Sequence, residues 1–174
     1  MSLKALRKRC EARLETITLP TPFTAEAFCM ELAAQMKSPI NLIAIATNGN
    51  PYGAWIRVHS SDYIFYEGHT TPLHQSHIIL HEACHILCDH QGVSFLDTDI
   101  ASLLISEVSS QTVQRMMERN TYTSAEEQEA ELLATLIWRR AMMENLRVAA
   151  SSQPDARGSL VRLTAALEGY AGAH

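Results

Sequence analysis

Residues 77–92 read HIILHEACHILCDHQG, and within them His81, Glu82 and His85 form an HExxH pattern. On an α-helix, residues four apart share a face and lie about 6 Å apart along the axis. Two imidazoles so placed can hold one metal ion, with zinc–nitrogen distances of about 2 Å. Glu82 lies about 100° further round the helix, where it can reach a water at the metal without ligating the ion. This is the arrangement of a water-activating zinc site. The bland alternative is a helix that happens to be rich in histidine. The apolar neighbours Ile78, Ile79, Leu80, Ile86 and Leu87 favour a helix held against a core, with the pair in a fixed place. His77, His81 and His85 continue the same i, i+4, i+8 series, whose ends are about 12 Å apart, too far to share one ion. HExxH selects His81 and His85 and leaves His77 as a packed or supporting residue. Cys88 faces the same side and could ligate, but reads better as a core thiol.

Two histidines need a third protein ligand. A histidine six residues after the second one is one solution, but Gln91 occupies that position and His90 is off by one. A glutamate on a later helix is the other. The segment AEEQEAELLATL, residues 125–136, offers Glu127 and Glu131, four apart at the edge of an apolar stripe. An acidic side chain beside a core face is costly unless paired or metal-bound. Glu126 and Glu129 read as a solvated acidic first turn that complements the helix dipole. Spacing alone leaves Glu127 and Glu131 both open.

The elements that must hold these residues follow from periodicity. Residues 3–15 show helical spacing, with Leu3, Leu6, Cys10 and Leu14 on one side. Thr24 caps a second helix over residues 25–37, closed by Pro39. Three short runs, residues 40–47, 53–60 and 62–68, read as strands of a small meander. The HExxH helix starts at Thr71–Pro72 and is expected to end near Gly92. Residues 96–121 carry a further helical pattern, beginning near Asp97 or Thr98. The glutamate helix over residues 123–150 has Ser124 and Glu127 at capping-box spacing and a stripe of Ala130, Leu133, Ala134, Ile137 and Ala141. Together these give an α+β fold, mostly helical, with a small antiparallel or mixed three-stranded sheet packed against the active-site helix and the glutamate helix. One domain is expected over 1–174, with N-terminal helices in 1–38, sheet and catalytic helices in 40–146, and a C-terminal helix in 156–170.

The chain has 174 residues, 47% hydrophobic and 19% charged, an ordinary globular balance with enough length for a core. Its net charge of −5 gives no basic face for nucleic acid. The basic opening lacks the apolar run of a signal peptide, and no window approaches the about 18 apolar residues of a membrane span. A cytoplasmic location is therefore expected. Cys10, Cys29, Cys84 and Cys88 form no CxxC pair and read as buried small apolar residues.

HEACHILCDH followed by EQEAELLATLI resembles the ImmA/IrrE family of zinc metallopeptidases, whose members carry HELGHxLLxH and, later, ExEANxFAxxLL. The resemblance spans roughly residues 40–140, and the ordered pair of motifs is more specific than HExxH alone. The second pattern falls on Glu127, Glu129, Ala130, Glu131, Leu133 and Ala134. The resemblance implies a zincin-type fold, with zinc on His81, His85 and Glu127, and Glu82 as general base. It puts Glu131 where an asparagine is usual, able to hydrogen-bond a ligating histidine. Ala83–Cys84 replaces the usual Leu–Gly, and 42 residues separate His85 from Glu127, a longer gap than usual. The implied activity is a cytosolic zinc peptidase that cleaves or controls a helix-turn-helix repressor, a separate protein because about 38 residues precede the first strand. The strand DYIFYEG is expected at the sheet edge, where an extended substrate could add. Tyr122, His59 and His69 are candidates to stabilise the oxyanion, weighed against ordinary surface roles. Two other readings stand beside this one. The first is a regulatory or toxin–antitoxin component that binds a partner with little or no proteolysis. The second is a purely structural metal site.

Overall fold

The computed structural model describes residues 2–46, 53–91, 93–95 and 122–152. Helix α1 spans Leu3–Glu15, and its cap is Ser2, whose side chain accepts from the Ala5 amide. Leu6 and Cys10 are buried, whereas Leu3 is exposed, so the buried stripe is shorter than its spacing suggests. Helix α2 spans Ala25–Met36, capped by Thr24 and ended at Lys37, which adopts the left-handed conformation with φ 55°. It buries Phe28, Cys29 and Leu32.

Four strands form one mixed sheet: β1 (Ile40–Ile45), β2 (Gly53–Val58), β3 (Ser61–Glu67) and β4 (Val93–Phe95), in the order β1-β3-β2-β4. Strands β2 and β3 form an antiparallel hairpin through His59 and Ser60, with Val58 opposite Ser61. Strand β1 pairs parallel with β3, not antiparallel with β2, so the sheet is not the expected meander. A buried aspartate supplies a physical reason. Asp62 is fully buried and accepts from Trp55 Nε1 at 2.8 Å and Arg57 Nε at 2.8 Å, both on β2. Its backbone amide donates to the Pro39 carbonyl at 2.8 Å, and Ser38 Oγ reaches its carboxylate at 3.3 Å. The entry to β1 is thereby tied to the start of β3, where both strands must run the same way. The outcome also moves DYIFYEG from the expected edge to the sheet interior, because β3 is paired on both sides. Strand β4 was not anticipated from the sequence.

Helix α3 spans Pro72–Leu87, with Thr71 as cap and Pro72 in the first turn, as its sequence suggests. It packs between the sheet and the other helices and is buried almost all round from Ile78 to Ile86. It ends earlier than expected: Cys88 is the C-cap and Asp89 takes φ 54°, a left-handed conformation that aspartate tolerates. The His90 amide then donates back to the His85 carbonyl at 3.1 Å, turning His90 beside His85. Arg13 of α1 caps the same end by donating to the Leu87 carbonyl at 2.6 Å.

Helix α4 spans Ser124–Ser152, and the whole expected stripe, Ala130, Leu133, Ala134, Ile137 and Ala141, is buried against α1 and α3. Its cap is one residue earlier than expected. Thr123 Oγ1 accepts from the Glu126 amide at 3.3 Å, while the Glu126 carboxylate accepts from the Thr123 amide at 2.8 Å. That reciprocal pair is a capping box on Thr123 and Glu126, not on Ser124 and Glu127. It leaves Glu127 free of capping. The fold is thus α+β, with four helices among the described residues. The helical pattern over 96–121 and the C-terminal helix over 156–170 both lie outside the described residues. No helix among the described residues is long and apolar enough to cross a membrane.

Candidate metal centre

Helices α3 and α4 pack side by side, and their facing residues bring His81, His85 and Glu127 together. His81 Nε2 and His85 Nε2 are 3.1 Å apart. Glu127 Oε2 is 3.4 Å from His81 Nε2, and its Oε1 is 3.7 Å from His85 Nε2. Three donors around a tetrahedral zinc at about 2.0–2.1 Å would be separated by about 3.3–3.4 Å. The two imidazole nitrogens lie close to that edge, each Glu127 oxygen approaches one of them, and one ligand atom from each residue lies within 4.8 Å of the others, so the set could hold such an ion.

Burial differs across the three. His85 is fully buried, His81 is 18% exposed and Glu127 is 47% exposed, so the group opens to solvent on the glutamate side. Burial first, then the neighbouring His81 and His90 rings, push His85 down to about 3, which keeps it neutral with a lone pair to offer. The two glutamates left open by the sequence occupy different sides of His81. Glu127 lies on the Nε2 side shared with His85, whereas Glu131 Oε2 sits 3.3 Å from His81 Nδ1. Glu131 also lies 3.7 Å from His77 Nε2, and His77 is half-exposed rather than packed.

Glu82 points from the same helix into the sheet. It is 5% exposed, and its Oε2 has no hydrogen-bond partner among the described residues. Burial first, then the charge of Glu127, push its carboxyl up to about 8, opposed by a hydrogen bond from the Trp55 backbone. Room for it comes from Gly53 at the start of β2. A Cβ there would lie 2.5 Å from Ile78 Cγ2 and 2.8 Å from Glu82 Oε1. Sequence reasoning had Gly53 only as a loop-to-strand boundary.

Of the oxyanion candidates, Tyr122 is at the site, its ring stacked on His85 with centroids 3.6 Å apart and planes 16° apart. His59 lies in the turn at the far end of β2 from Gly53, about 20 Å along the strand direction. His69 is exposed after β3, and its amide donates to Glu67 Oε1 at 2.7 Å. Neither of these two histidines joins the group.

A second donor group lies behind the first. Cys88, His90 and Glu129 place one ligand atom each within 4.8 Å of one another. Glu129 is 6% exposed, which corrects its reading as a solvated first-turn residue; Arg9 of α1 forms an ion pair with it. Only Glu126 fits that solvated role. Sequence reasoning weighed His90 only as a third ligand one residue out of register; its Nδ1 lies 2.9 Å from His85 Nδ1. The four cysteines are free thiols; Cys10, Cys29 and Cys84 are buried and Cys88 is half-buried.

No protein-family model, no curated protein and no solved structure matches this chain. The described fold is a small α+β unit carrying two groups of side chains that could hold a metal ion.

Proposed function

We propose that this protein is a cytosolic zinc-dependent peptidase of the ImmA/IrrE type, with zinc on His81, His85 and Glu127. The observation that carries the reading is the close approach of His81 Nε2 and His85 Nε2, 3.1 Å apart, to the Glu127 carboxylate, whose two oxygens lie 3.4 and 3.7 Å from one imidazole each, beside a buried glutamate on the histidine helix. The chemistry such an ion supplies is Lewis acidity, which makes a water more acidic and polarises a carbonyl. His81 and His85 would present Nε2, with burial keeping His85 neutral, and Glu127 would add a carboxylate oxygen. Glu131 and His90 hold the outer nitrogens of the two rings. The group is exposed to solvent on the glutamate side. Glu82 would have to ionise, against the burial that raises its carboxyl, to take the proton of the attacking water and later pass it to the leaving amine. Tyr122 fixes the plane of the His85 ring. A substrate strand cannot add to β3, whose edges are both taken, so strand addition falls to β1 or β4. The resemblance to the ImmA/IrrE family makes a helix-turn-helix repressor the favoured substrate.

The test is a paired cleavage assay on a candidate repressor, with metal content measured in the same samples. Glu82→Gln should retain zinc and lose about 10²-fold or more in hydrolysis. Equal cleavage by both proteins overturns the role of Glu82. The burial of Glu82 favours a second reading, in which the protein binds its partner with little or no proteolysis. Zinc and repressor binding without cleavage by either protein would select it.

A further inference from the structure

We infer that His90 is a positioning residue that fixes which nitrogen of His85 carries the proton, through a chain that runs from Arg9 to the metal-facing edge. The inference rests on the reading that His81, His85 and Glu127 hold a cation. His85 presents Nε2 to His81 and Glu127, and Nδ1 to His90 at 2.9 Å. When each ring carries one proton, a contact between two ring nitrogens holds one of them. If that proton is on His85 Nδ1, its Nε2 lone pair is free for a cation. If it is on His90 Nδ1, the proton of His85 moves to Nε2, among the ligands, and blocks coordination.

The far side of His90 decides between these states. His90 Nε2 lies 3.5 Å from Glu129 Oε2, and an ionised carboxylate only accepts. It therefore favours the proton on His90 Nε2, which leaves Nδ1 to accept from His85. Burying Glu129 as an anion requires a counter-charge, and Arg9 supplies it from α1. The stacked Tyr122 ring holds His85 in the plane this chain needs. Outer partners of this kind orient a ligating histidine and raise its basicity.

The same proton count bears on the second donor group. A cation on His90 Nε2 would force the His90 proton to Nδ1 and the His85 proton to Nε2. The two groups therefore exclude each other, and Arg9 already weighs against a cation at Glu129.

The first test is nitrogen-15 NMR of the histidine rings in the zinc-loaded full chain. His85 should carry its proton on Nδ1 and His90 on Nε2; a proton on His90 Nδ1 overturns the inference. The second test is zinc affinity by chelator competition. His90→Phe should bind about 10–100-fold more weakly than wild type. His90→Gln should recover most of the loss, because its amide can accept from His85 and donate to Glu129. Equal affinity in wild type and both variants overturns the inference alone. A wild-type protein that binds no zinc overturns the metal assignment and this inference with it.

Discussion

The two donor groups lie on opposite edges of one imidazole and differ in how their charge is balanced. His81, His85 and Glu127 bring one carboxylate and two neutral rings together with no cationic side chain in hydrogen-bond or ion-pair contact with Glu127 among the described contacts. Cys88, His90 and Glu129 bring a similar set together, but Arg9 is paired with the glutamate. The first group opens toward solvent through the half-exposed Glu127, whereas His90 and Glu129 are buried. Ligand types and mutual distances alone would rank the two as equals. The counter-charge separates them: one group lacks a positive partner and the other has one. A buried carboxylate with an arginine on it is a finished ion pair, and it can serve as support for the group next door.

The largest expected effect falls on the pair that defines the first group. His81→Ala combined with His85→Ala should take zinc content from about one per chain to near zero, measured by elemental analysis of the purified protein. Full occupancy in that double variant would move the metal to the second group. Next is the choice between glutamates. Glu127→Ala should weaken zinc binding by more than the about 10–100-fold typical of an outer partner, and Glu131→Ala should fall within that range. A dominant effect of Glu131→Ala would shift the ligand register by one helical turn. The smallest effect belongs to the counter-charge. Arg9→Met should lower zinc affinity by about 10-fold or less, with stoichiometry still at one, because the shared proton keeps the two groups mutually exclusive. Two zinc ions per chain in that variant would break the proton argument.

Much of this arrangement was legible where it depends on local spacing. Thr71 and Pro72 start α3, HExxH sets the faces of His81 and His85, and the stripe from Ala130 to Ala141 fixes which side of α4 is buried. What was not legible depends on single-residue choices or distant partners. A capping box on Thr123 instead of Ser124 decides that Glu126 caps and Glu127 is free, and both threonine and serine are good caps. The left-handed Asp89 ends α3 before Gly92 and places His90 behind His85; CDHQG offered aspartate as that signal, but Gly92 was the stronger stop. Arg9 and Glu129 meet across 120 residues, and no local pattern announces such a pair. The order of the sheet likewise follows from Asp62, a buried carboxylate whose partners lie on β2 and in the segment just before β1.

The most direct test of the central claim is zinc X-ray absorption on the wild-type protein, because the two groups differ in one element. His81, His85 and Glu127 contain no sulfur, whereas the second group contains Cys88. A shell of only nitrogen and oxygen at about 2.0–2.1 Å, with two imidazoles, is the expected result. A sulfur at about 2.3 Å would place the ion on Cys88 and contradict the assignment of the metal to His81, His85 and Glu127.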